Sequence, residues 1–143
     1  MARPSRIIVA VLGFAAIAAC DGANKGGSDY SPAPTAVDCA DAPQLRQRAL
    51  DARRQSVETT SDQEQIVAGN RATFYASLAI IADLKCKVTL AEADEALKPA
   101  FDAARKAEAT RSFYEEAVHW GEAGFIATEV VPMLMKQLSA PPK

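Results

Sequence analysis

The feature that most constrains this chain is an apolar arc with helical period between Ser61 and Val88. Val67, Phe74, Leu78, Ile81, Leu84 and Val88 fall on one side of a 3.6-residue helix, and Ile66 and Ile80 widen that side. Burying one large aliphatic or aromatic side chain contributes roughly 1.5–3 kcal/mol, so this segment is expected to supply most of the core. It opens at "SDQE", where Ser61 can cap the helix and Glu64 can reciprocate. Asn70, Ser77 and Lys85 interrupt the arc. They mark either a polar pocket or the edges of seams between helices.

The neighbouring segments are also helical. Asp41 is placed to cap a first helix with Pro43 in its first turn, and "QLRQRALDARRQSVE" continues it. Its apolar stripe is thin (Leu45, Ala49, Ala52). Arg46, Arg48, Arg53 and Arg54 occupy the other faces, suiting either an acidic partner or simple solvation. "TLAE" repeats the capping pattern with Thr89 and Glu92, and the short turn after Cys86 predicts antiparallel neighbours. Pro99 and Pro132 each predict a kink or a stop. After Ala104 the apolar face turns. Phe113, Ala117, Trp120 and Gly124 form one line, and Tyr114, Val118, Gly121 and Phe125 form the next. Glu108, Glu115, Glu122 and Glu129 recur at seven-residue spacing on the polar side.

The beginning of the chain follows different rules. Arg3 and Arg6 precede an uncharged run over residues 7–19, which is shorter than the roughly 20 apolar residues of a membrane span. A basic start followed by a short apolar core fits an export signal. The run closes with Ile17, Ala18, Ala19 and Cys20, which resembles the lipobox of bacterial lipoproteins. That resemblance is confined to the processing signal. It implies a signal peptide over 1–19, cleavage before Cys20, and diacylglyceryl transfer to its Sγ, with further acylation by palmitate-like chains. It makes the lipid bilayer a partner through Cys20 and places the protein body in the periplasm. Asp21 resembles the enteric retention signal, favouring the inner over the outer membrane.

Residues 20–38 read as a lipid-anchored flexible linker. Gly22, Gly26, Gly27, Pro32 and Pro34 stand among small polar residues there. Removing Arg3 and Arg6 from the 16 basic residues leaves 14 against 18 acidic ones, a net charge of −4. That balance lacks the basic footprint of a nucleic-acid binder. Cys39 and Cys86 lie at ends that meet in an antiparallel helix pair, so a disulfide is expected in an oxidising compartment.

Motifs for chemistry are sparse. Glu116-x-x-His119 resembles one quarter of a ferritin-like di-metal site. His119 is the only histidine, so that site cannot be completed within one chain, and no metal is expected. Ser112 lacks a nucleophile-elbow context, Cys-x-x-Cys is absent, and Gly26-Gly27 follows no strand. No cofactor or enzymatic activity is expected. The sequence thus predicts an all-α protein, with a three- or four-helix bundle over residues 39–140 behind a signal peptide and tether. The expected role is non-catalytic interaction or assembly with an envelope protein. A small ligand- or metal-binding domain is the alternative. Phe113, Trp120, Gly121, Gly124, Met133 and Met135 are the expected partner surface.

Overall fold

Two of the helices begin where a serine side chain takes up a backbone hydrogen bond that helix ends leave open. The structure, a computed structural model, describes residues 31–141. A one-turn 3-10 helix at Cys39–Asp41 leads into α1 (Ala42–Glu58), α2 (Asp62–Lys85), α3 (Ala91–Ala109) and α4 (Phe113–Ser139). Among the described residues there is no strand, and the fold is an all-α four-helix bundle. The expectations for the leader, Cys20 and Asp21 lie outside the described residues.

Helices α2 and α4 start with the same device. Ser61 Oγ accepts from the Glu64 amide at 3.4 Å, and Ser112 Oγ accepts from the Glu115 amide at 3.3 Å. The glutamates do not return directly to the serine amides as in a simple capping box. A threonine hydroxyl stands between. Thr59 donates to Glu64 at 2.6 Å and accepts from the Ser61 amide at 3.3 Å. Thr110 does the same with Glu115 at 2.6 Å and Ser112 at 3.2 Å. "TTSDQE" and "TRSFYE" therefore encode one cap twice.

Other sequence expectations about boundaries need correction. Asp41 occupies the position before α1, but its carboxylate accepts from the Asp38 amide at 2.7 Å and braces the 3-10 turn. Thr89 does not cap α3; Leu90 holds that position, without a side-chain cap bond. Neither internal proline ends its helix. Helix α3 passes through Pro99 and stops at Thr110, and α4 passes through Pro132 to Ser139. Both prolines are exposed, so the carbonyl that each one orphans lies on the solvent side of its helix.

The packing order also differs from expectation. Helix α2 lies between α1 and α4, and α4 lies between α2 and α3, whereas no Cα of α2 comes within 8 Å of one in α3. The short turn after Cys86 thus joins helices across the bundle rather than side by side. Contacts advance together along α2 and α4. Asn70 meets Ala117 and Gly121, the Phe74 backbone meets Gly124, and Ser77 meets Thr128, which makes the two helices parallel.

Helices α1 and α3 do not approach each other closely, and the chain before α1 bridges them. Arg48 on α1 donates to the Pro32 carbonyl at 3.0 Å, while the Ala33 amide donates to Glu108 on α3 at 2.7 Å. Ala33 and Val37 are buried. Lys85 then holds the Val37 carbonyl at 2.5 Å and Asp94 at 2.6 Å, tying the strap to the ends of α2 and α3. Residues 32–38, read from composition as tether, therefore belong to the packed body, which begins at Pro32. Isolated apolar residues in a proline-rich stretch carry no period that would announce their burial.

Candidate interaction surface

The structure separates the two apolar lines of α4. In the first line, Trp120 and Gly124 are buried, with Phe113 and Ala117 partly so. Trp120 is fully buried against Phe74 and Tyr75, at ring-centroid distances of 5.6 Å and 6.1 Å. Its indole N–H donates to Glu116 Oε1 at 3.4 Å. Trp120 is thus a core residue and is removed from the expected partner surface.

Gly121 and Gly124 serve an internal contact. A Cβ at Gly121 would stand 3.2 Å from the Asn70 amide nitrogen, and one at Gly124 would stand 3.4 Å from the backbone of Asn70 and Phe74. Their small size admits the parallel approach of α2. The expected close approach of another backbone is made by this chain itself. Asn70 donates to the Ala117 carbonyl at 2.9 Å, and Ser77 pairs with Thr128 at 2.9 Å, so both polar residues are seam groups. Their hydrogen bonds satisfy polar atoms that would otherwise be costly to bury.

The interior end near the α3–α4 turn is charged. Arg71 and Glu116 are both buried. Arg71 donates to Gln55 of α1. Desolvation lowers the Arg71 pKa, while Tyr75, Glu116 and Glu108 oppose that shift electrostatically. Burial raises the Tyr75 pKa, and the nearby Arg48 guanidinium, 5.5 Å above its ring, pulls the other way. Burial likewise raises Glu108 above the usual carboxylate range, against the Ala33 amide that favours its charged form.

A raised folded pKa means that the Glu108 contribution to stability is present below the unfolded value, about 4.5, and is lost as pH rises through the folded pKa. Glu108→Gln keeps an acceptor for Ala33 and removes the titration. The variant is expected to gain stability relative to wild type between pH 4 and pH 7. Urea unfolding at the two values, roughly half a unit below and well above the ordinary carboxylate pKa, checks this. An unchanged difference between the two proteins would contradict it.

Elsewhere the expected sites resolve simply. Cys39 and Cys86 form a disulfide with their Cα atoms 4.9 Å apart. His119 Nδ1 lies 3.7 Å from Glu122, and the Glu115 carboxylate takes the Thr110 hydroxyl. Among the described residues no three or more His, Cys, Asp or Glu side chains converge as metal ligands, and no helix is long and apolar enough to cross a membrane. An open groove of about 280 Å³ runs between the strap and α1, lined by Pro34, Thr35, Gln44 and Arg48 among others.

The second line of α4 faces outward. Tyr114 is 77% exposed, Val118 50% and Phe125 67%, with the half-buried Gly121 between them. Tyr114, Val118, Gly121 and Phe125 follow the 4-3-4 spacing of a coiled-coil seam, and Glu115, Glu122 and Glu129 run beside it at heptad intervals. Met133 packs partly against the core, whereas Met135 is exposed near the end of the helix. The line was visible in the sequence as apolar, but only the position of α2 decides which of the two lines turns inward.

No protein-family model matches this chain, and neither does any curated protein or solved structure.

Proposed function

We propose that this protein is a lipid-anchored helical protein of the bacterial envelope whose work is non-catalytic interaction or assembly, performed by the outer face of α4. The observation that carries the reading is the exposed row of Tyr114, Val118 and Phe125. Two aromatic rings left largely in water along one helix are a cost that burial against a partner would remove. The lipobox-like Ile17–Cys20 sequence supports an anchor ahead of the packed body. Interior polar groups bear less on the question, since Asn70 is spent on the Ala117 carbonyl, and Ser77 and Thr128 on each other, across a seam.

A photo-crosslinking residue at position 125, in the full chain expressed in its native membranes, tests this reading. The expected result is a discrete covalent adduct at 125 and none at the exposed control position 102 on α3. Equal labelling at both positions, or none at either, would contradict it.

A further inference from the structure

The outer face of α1 carries the chemical complement of the α4 face. Leu50 and Val57 are 53% and 75% exposed, seven residues apart, and Arg46 and Arg53 precede each of them by four. On α4, Val118 and Phe125 are also seven apart, and Glu122 and Glu129 follow each of them by four. Seven residues advance about 10.5 Å along either helix, so both faces repeat apolar and charged groups with one axial period. Their charges are opposite.

Within one chain the two faces cannot meet, because no Cα of α1 comes within 8 Å of one in α4. Resting on the reading of α4 as an interaction face, we infer that its partner is a second copy of this chain, which docks the Arg46–Val57 face of α1 head to tail. The Arg46–Asp83 pair, at 3.1 Å with both side chains more than half exposed, is cheap to exchange for an intermolecular partner. Like-charged arrangements are disfavoured: α4 against α4 would bring the two Glu rows together. The contact is heterologous, so a pair of chains keeps one free face of each kind, and assembly extends or closes into a ring. A shared membrane tether raises the effective concentration of copies for one another.

The test uses the full-length mature chain in mild non-ionic detergent at low ionic strength, followed by sedimentation velocity. Wild type is expected to sediment as assemblies of two or more chains that shrink as salt is added. Reversing one face (Glu122→Arg with Glu129→Arg) or the other (Arg46→Glu with Arg53→Glu) should raise the dissociation constant about tenfold or more in each case. All four positions are exposed, so the circular dichroism of both variants should match wild type. Mixing the two variants should restore association, since each face then meets its opposite charge. Wild type at single-chain mass up to high micromolar concentration, assemblies indifferent to either reversal, or a mixture that stays dissociated would each overturn the inference. A monomeric wild type that still crosslinks from position 125 to another protein would overturn self-association while leaving the interaction role of α4 intact.

Discussion

Trp120→Ala is expected to destabilise the bundle by about 3–5 kcal/mol, the usual cost of truncating a fully buried aromatic. Three effects combine. The large side chain leaves a space bounded by Phe74 and Tyr75, neither of which can fill it without leaving its own packing. The indole donor to Glu116 disappears in a buried setting. The parallel seam also limits collapse, because α2 already rests against Gly121 and Gly124. A bundle of this size has a total stability of about 5–15 kcal/mol, so the variant loses a large share of it. Urea unfolding followed by circular dichroism should show the midpoint falling by roughly 2 M, with Trp120→Phe in between. A change below about 1 kcal/mol would place Trp120 outside the core.

Replacing both Cys39 and Cys86 by alanine should cost about 4 kcal/mol on the chain-entropy view of the loop that the bridge closes, 47 residues apart in sequence. The structural consequence is more local than that figure suggests. The bridge pins the downstream end of the strap to the end of α2, while Lys85 grips the Val37 carbonyl beside it. Once the bridge is gone, Val37, Ala33 and the Ala33–Glu108 hydrogen bond hold the strap over the gap between α1 and α3. The expected result is faster proteolysis within residues 32–38 under native conditions, before the helices are cut. Cleavage at the same rate with and without the bridge would show that packing alone secures the strap.

The helical body was readable because its signals are local. The α2 stripe repeats at 3.6 residues, and Ser61 announces its own cap. The ends that carry Cys39 and Cys86 do meet. What sequence could not supply was the identity of neighbours. Helix α4 is apolar on two adjoining lines, and either could face inward until α2 lies along Ala117, Gly121 and Gly124. Glycines beside a tryptophan look the same whether the backbone they admit is foreign or native. The diagonal course from α2 to α3 was hidden too, since a short turn limits distance but not which helix fills the neighbouring place. The strap was missed because two buried residues, Ala33 and Val37, sit four apart in a stretch with no other apolar pattern. Of the kink or stop expected at Pro99 and Pro132, the stop does not occur. A proline on the solvent face costs a hydrogen bond that water can replace, so the helix need not stop.

The outward line of α4 has meaning for function only if the bundle is held where partners are. In the proposed anchoring that depends on acylation of Cys20, and the intact mass of the protein purified from membranes tests it directly. The account predicts a chain that begins at Cys20 and carries a diacylglyceryl group on its sulfur, with or without an acylated amine. A mass corresponding to an unmodified cysteine, or to a chain that retains residues 1–19, would contradict it.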